Sequence, residues 1–173
     1  MELRLAGIKK SFEGKEVLKG LDFTFEKGKI YGLLGRNGAG KTTLFNILAD
    51  EIKAEEGKAY LTVQEEERPI RPKDLSYVYS TPVLPDFLTG YEFIKFFVDL
   101  HKNDIDNLQQ IDAYFEDHII IFSTHILQLA TDLCDEIAIL HDGKMSMLDH
   151  DRLGDETFEE EIIRLLKEES HGA

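Results

Sequence analysis

Gly35-Arg36-Asn37-Gly38-Ala39-Gly40-Lys41-Thr42 satisfies the pattern G-x-x-x-x-G-K-T/S at each required position. The glycines let the backbone curl until consecutive N–H groups face one anion. A helix starting just after them adds the partial positive charge of its N-terminus. Lys41 can bridge the β and γ phosphates of a nucleotide, Thr42 offers a hydroxyl to Mg²⁺, and Thr43 completes the nucleotide-binding set. A second chemical candidate is His125, in the stretch Phe122-Ser123-Thr124-His125-Ile126-Leu127. It follows an apolar run, so it stands at the C-terminal end of a central strand, where open α/β sheets place ligand groups. An imidazole there can hydrogen-bond a γ-phosphate and orient an attacking water. Two other phosphate chemistries do not fit. Guanine recognition calls for N-K-x-D, and His101-Lys102-Asn103-Asp104 scrambles it. Dinucleotide binding calls for G-x-G-x-x-G, and the Gly-Lys-Thr ending argues against it.

The elements that must carry these groups are readable from periodicity. Residues 2–8 alternate as a strand, Gly14 marks a turn, 17–25 is a second strand, and 29–34 a third that leads into the loop. A helix is predicted from near Gly40 to about Asp50, with Leu44, Ile47 and Leu48 on one face. The stretch after Gly57 reads as a strand and 64–74 as a charged, proline-bearing loop. Residues 75–79 read as a short strand, and 91–101 and 104–116 as helices, the first rich in phenylalanine. His118–Phe122 is a continuous apolar run, the pattern of a strand buried on both faces. A helix over 126–134 and a hairpin turning at Asp142-Gly143 follow. The last helix spans Asp155 to Ser170, with Asp155 as N-cap and Phe158, Ile162, Leu165 and Leu166 facing inward. Early hairpins followed by strand–helix alternation read as α/β with an antiparallel subdomain.

Composition sets the outer bounds. The 173 residues suffice for one domain with a sizeable core, and 42% hydrophobic with 31% charged residues is ordinary for a globular protein. A net charge of −14 argues against nucleic-acid partners and a polybasic membrane anchor, but not against nucleotide binding, which depends on local donors. The one cysteine, Cys134, forms no internal disulfide and suits a reducing cytoplasm; its neighbours suggest a buried helix position. The opening residues do not read as a secretory signal, and no apolar run reaches the ~20 residues needed to span a bilayer.

Residues 32–44 (GLLGRNGAGKTTL), 122–127 (FSTHIL) and 133–144 (LCDEIAILHDGK) together resemble the ATP-binding subunit of bacterial ABC transporters, closest to those serving small exporters. The resemblance covers nearly the whole chain. It implies a P-loop NTPase core of the α/β class with an N-terminal antiparallel β-subdomain, as in ABC ATPases, forming one ATP-binding domain over 1–173. It places Phe12 where the family stacks an aromatic ring on adenine, with Val17 beside the same base, and His125 at the family's switch histidine. The nucleotide-binding set is then Phe12, Val17, Gly35, Arg36, Asn37, Gly38, Ala39, Gly40, Lys41, Thr42 and Thr43, with ATP and Mg²⁺ as cofactors. Ser80 stands where a glutamine near Mg²⁺ is usual; its shorter hydroxyl puts a bridging water between it and the metal. The Phe-rich stretch 87–97 falls where the family meets its membrane partner, although a core-facing helix explains most of those aromatics equally well. The implied partners are a transmembrane permease and a second ATP-binding subunit in a head-to-tail dimer. The implied location is the cytoplasmic face of the cell membrane.

Two family motifs have no counterpart in the sequence. One is the Leu-Ser-Gly-Gly-Gln signature, faintly imitated and misplaced at Leu88–Glu92; the other is the apolar run ending Asp-Glu, which supplies a metal ligand and a general base. Asp135-Glu136 is a poor candidate, because it follows Leu133-Cys134 and matches a later family segment. Both motifs belong between the helix at 104–116 and the strand at 118–122, which here abut. A gap or deletion of several dozen residues near 115–118 is therefore expected, and with it ATP binding without useful hydrolysis. The expected function is an ATPase subunit coupling ATP binding and hydrolysis to export through the permease. The alternative is a non-hydrolysing nucleotide-binding or regulatory remnant.

Overall fold

The computed structural model describes residues 1–75, 116–148 and 156–167. The elements in chain order are β1 (Glu2–Phe12), β2 (Lys15–Glu26), β3 (Lys29–Leu34), α1 (Lys41–Leu48), β4 (Glu56–Val63), β5 (Glu66–Pro69), a short 3₁₀ turn (Pro72–Asp74), β6 (Ile119–Thr124), α2 (Leu127–Leu133), β7 (Glu136–His141), β8 (Lys144–Met147) and α3 (Glu156–Lys167). They form two four-stranded sheets. The antiparallel one runs β2-β1-β4-β5; the other runs β6-β3-β7-β8. In the second, β3 lies parallel to both β6 and β7, and β8 returns antiparallel along β7.

The strand β3 (KIYGLL) has apolar residues without alternation because both its faces are covered. Tyr31 and Leu33 join Leu3, Leu5, Ile8, Leu18, Leu21 and Phe25 of β1 and β2, Leu44 and Leu48 of α1, and Leu140 of β7. Phe23, Phe25 and Tyr31 meet as tilted and edge-to-face rings with centroids 4.7–6.4 Å apart. The buried Tyr31 hydroxyl accepts the Glu26 N–H at 2.9 Å, so the largest core side chain keeps its polar end satisfied. On the opposite face, Leu34 packs with Ala130 of α2, Ile137 and Ile139 of β7, and Phe158 and Ile162 of α3. Gly32 lies under α2, where an added Cβ would stand 2.7 Å from Cys134 Sγ and 3.2 Å from Ala130 Cβ. Glycine here lets the helix sit directly on the strand backbone. Cys134 lies half-buried one residue past α2, rather than inside the helix. Its thiol pKa is pushed up to about 11 by burial and, secondarily, by Asp135.

Three expectations need correction. Residues 64–74 are not a loop: β5 pairs with β4, Val63 opposite Glu66 and Tyr60 opposite Pro69. Gln64 and Glu65 both adopt positive φ, 52° and 68°, which is the two-residue hairpin geometry usually marked by Asn-Gly. Without those residue types the turn left no sequence signal. Secondly, β6 is not buried on both faces. Ile119, Ile120, Ile121 and Phe122 are only half-buried, and the strand is an edge of its sheet among the described strands. Thirdly, β1 and β2 extend to Phe12 and from Lys15, with register shifts absorbed near Gly7 and Gly20, both at positive φ. The predicted strand over 75–79, helices over 91–101 and 104–115, the Asp155 cap and Ser80 lie outside the described residues. So does the side chain of Leu165; Phe158 and Ile162 are buried as expected and Leu166 packs against them. Helical backbone at Glu116 is followed by Asp117 and His118 before β6 begins. His118 C=O accepts the Gly28 N–H at 2.8 Å and Asp117 pairs with Lys27 at 2.6 Å, tying that junction to the start of β3.

Candidate functional site

The loop between β3 and α1 begins with Gly35, buried against β7: a Cβ there would lie 2.7 Å from the Leu140 carbonyl oxygen. Gly35 N–H donates to Thr124 C=O at 3.2 Å, which joins the loop to the end of β6. Gly40, at φ 105°, caps α1 in a backbone conformation that L side chains rarely adopt. A Cβ on Gly40 would also meet Leu18 Cδ2 at 2.8 Å and Val17 Cγ1 at 3.0 Å, so β2 packs directly on the start of the helix. The first intrahelical bond runs from Leu44 N–H to Gly40 C=O at 2.9 Å. The N–H groups of Lys41, Thr42 and Thr43 therefore have no acceptor within the helix, and they carry its positive dipole end.

Lys41 folds back over the loop. Its ammonium donates to the carbonyl oxygens of Gly35 and, at 2.8 Å, of Arg36. Burial lowers its pKa from the ordinary lysine value. A half-buried cation held by neutral carbonyls alone lacks a counter-charge, so an anion entering the loop relieves its desolvation. At the facing end of β6, Thr124 Oγ1 accepts the Ile126 N–H at 3.0 Å, and this local turn sends His125 outward.

These groups converge on one pocket of about 400 Å³, lined by Val17, Asn37, Gly38, Gly40, Lys41, Thr42, Thr43, Ser123, Thr124 and His125. Of the residues expected in the site, Val17, the loop from Asn37 through Thr43 without Ala39, and His125 line it together. Gly35, Arg36 and Ala39 shape the loop from behind. Phe12 does not line the pocket: it stands 46% exposed at the end of the β1–β2 hairpin, with Lys10 Nζ 5.3 Å from its ring centroid. Ser123 and Thr124 were missed by sequence reasoning; two hydroxyl residues directly before a strand-end histidine were the available signal. A separate cavity of about 460 Å³ shares Thr42 and Ser123, but its walls of Leu3, Phe45, Leu48, Leu61, Ile119 and Ile121 suit hydrocarbon rather than phosphate.

Among the described residues, the pocket lining holds hydroxyls and no carboxylate. Among the described residues no group of three or more His, Cys, Asp or Glu is arranged to hold an ion. The Thr42 hydroxyl among these donors would suit a Mg²⁺ that arrives with the phosphates. Asp135 and Glu136 sit at the opposite end of the sheet. Asp135 Oδ2 accepts the Ile30 N–H at 2.7 Å, and Glu136 pairs with Lys29 at 3.1 Å. The strand from Ile30 to Gly35 separates them from the loop by roughly 16 Å.

The sequence pattern of the ABC transporter family matches residues 18–162. The chain belongs to the ABC transporter family. It is one of the family's ATP-binding subunits, whose members are ATPases. Over 231 residues it is 23% identical to the uncharacterized ABC transporter ATP-binding protein YdbJ of Bacillus subtilis (strain 168), with 96% of this chain and 75% of that protein covered. That span exceeds the 173 residues of this ABC chain, so several dozen residues of the relative have no counterpart here. The uncharacterized ABC transporter ATP-binding protein YhcH of the same organism is 28% identical over 153 residues, 85% of this chain and 50% of that protein. This ABC subunit thus spans about half the length of YhcH. A solved structure described as an ATP-binding subunit of an ABC transporter superposes at a TM-score of 0.63 and 17% identity, covering 97% of this chain and 100% of that one. That likeness supports the fold. Among the described residues, no helix is long and apolar enough to cross a membrane.

Proposed function

We propose that this pocket binds Mg·ATP, as one ATP-binding domain over 1–173, and that closure around the nucleotide drives a separate membrane permease in the direction of export. Lys41 contacts the β and γ phosphates, the N–H groups of the loop and of α1 cradle them, and Thr42 faces the Mg²⁺, which neutralises charge on the phosphate oxygens. His125 hydrogen-bonds the γ-phosphate. Val17 and Phe12 flank the adenine, and Ser80 lies near the metal through a water. A second ATP-binding subunit, packed head to tail, completes the site at the cytoplasmic face of the membrane. The observation carrying this reading is the convergence of a half-buried, carbonyl-held Lys41, the helix N–H groups without an intrahelical acceptor and His125 on one pocket.

The absence of a carboxylate among the described lining residues favours a second reading for the chain of 173 residues: it binds ATP without useful turnover. No described group in the pocket is placed to polarise a water as a general base carboxylate does, and the excess length of the YdbJ alignment is consistent with a block absent from this chain, which the sequence places near 115–118. Calorimetric titration with Mg·ATP, against Lys41→Ala, tests the binding. A phosphate-release assay tests the turnover: release abolished by Lys41→Ala supports the ATPase reading for this chain, and no release despite binding supports the remnant.

A further inference from the structure

The turn end of the β7–β8 hairpin touches the proposed nucleotide site on two sides, although no residue after His125 is a site candidate from sequence. On the phosphate side, a Cβ on Gly35 would stand 2.7 Å from the Leu140 carbonyl oxygen. Three residues on, the turn Asp142-Gly143 lies against β2. Gly143 C=O accepts the Lys19 N–H at 2.8 Å, and Asp142 Oδ1 accepts from Lys19 Nζ at 2.5 Å. A Cβ on Gly143 would stand 2.8 Å from the Val17 carbonyl oxygen and 2.7 Å from Lys19 Cγ. Val17 itself lines the pocket, and its Cγ1 abuts Gly40. Asp142 and Gly143 have φ of 46° and 69°, the tight two-residue turn that gives the hairpin end a fixed shape.

We propose that residues 140–143 form a brace that sets the distance between the base-side wall at Val17 and the phosphate loop at Gly35, with Gly143 and the Lys19–Asp142 pair as positioning residues for the nucleotide's base. The proposal rests on the nucleotide reading given above. β2 and β7 are not hydrogen-bonded neighbours in either sheet, so at this point the turn adds a direct tie to the apolar packing that Leu18 and Leu140 already share. One backbone hydrogen bond, one ion pair and a contact that only glycine permits hold the β2 segment carrying Val17 to the strand that backs the loop. The ion pair is partly exposed, with Asp142 66% accessible, so the glycine contact and the backbone bond carry most of the positioning. In the reading above the triphosphate meets the loop, α1 and His125 rather than Val17, so a displaced Val17 acts mainly on the base.

The experiment compares ATP with inorganic tripolyphosphate, which has the phosphates and no base, by calorimetry on the full chain. Gly143→Ala forces β2 away from the turn. Its expected effect is an ATP affinity about tenfold weaker, with tripolyphosphate affinity within about twofold of wild type. The double variant Lys19→Ala/Asp142→Ala, confined to partly exposed side chains, is expected to weaken ATP about threefold and tripolyphosphate not at all, and it decides the matter if Gly143→Ala does not fold. Equal losses for the two ligands, or unchanged ATP affinity in both variants, overturn the brace while leaving the site intact. Failure of the wild type to bind either ligand overturns the site and the brace with it.

Discussion

Replacing Gly32 by alanine separates two opposing effects on the strand that leads into the phosphate loop. Gly32 lies inside β3 and is not among the glycines at positive φ, so an alanine suits the backbone and gains about 0.5–1 kcal/mol by restricting the unfolded chain. Against that, the new methyl would stand 2.7 Å from Cys134 Sγ and 3.2 Å from Ala130 Cβ. The first contact is closer than packed atoms tolerate, and α2 must move or Cys134 must rotate. Overpacking of this kind costs about 1–3 kcal/mol, so Gly32→Ala alone is expected to be destabilising by about 1–2 kcal/mol. Cys134→Ala removes the sulfur and leaves a Cβ 3.7 Å from the new methyl, an ordinary contact. In that background only the Ala130 contact remains tight, and Gly32→Ala should fall to within about 0.5 kcal/mol of neutral. The assay is urea unfolding of wild type, both single variants and the double, giving a coupling energy of about 1 kcal/mol in favour of the double. A cost for Gly32→Ala that is the same in both backgrounds, within about 0.4 kcal/mol, refutes the claim that α2 packs on the bare backbone of β3 through the sulfur.

Three further outcomes are expected. Asp74 accepts from both terminal nitrogens of Arg68, at 2.5 and 3.0 Å, and from Arg71 N–H, which draws its pKa down to about 2. The folded value lies below the unfolded one, so the stabilisation is fully present above about pH 4 and is lost as pH falls through about 2; urea midpoints of Asp74→Asn and wild type should therefore differ at pH 7 and converge toward pH 2. Tyr31→Phe removes the acceptor of the part-buried Glu26 N–H and should lower unfolding free energy by about 1 kcal/mol, read from the same urea curves. Lys41→Ala should weaken ATP and tripolyphosphate alike by about 30-fold or more in calorimetry, because the lost charge faces the phosphates and not the base.

Much of the core was readable because its signals are local. The glycine spacing of 35–42 forces one loop shape, and the alternation of 17–25, the apolar run of 29–34 and the Asp142-Gly143 turn each name their element within a few residues. The β4–β5 hairpin was missed because Gln64-Glu65 adopts the same tight turn without its usual residues. The apolar run of β6 was read as doubly buried because hydropathy reports what a strand can bury, not whether neighbours are there to bury it.

By itself, then, the sequence determined the phosphate loop, the strands leading to it with the helix after it, and the histidine at a strand end, since each is encoded by contiguous residues. Only the tertiary structure decided which side chains face one another across the fold. It set Val17 against Gly40, Ser123 and His125 across from Lys41, and Lys19 against Asp142, 123 residues away in the chain. It also carried Asp135 and Glu136 to the end of β3 remote from the loop. Those outcomes depend on strand order and on close approaches at Gly32, Gly35, Gly40 and Gly143. A glycine in the sequence announces that space is available, and only the packed chain determines what fills it.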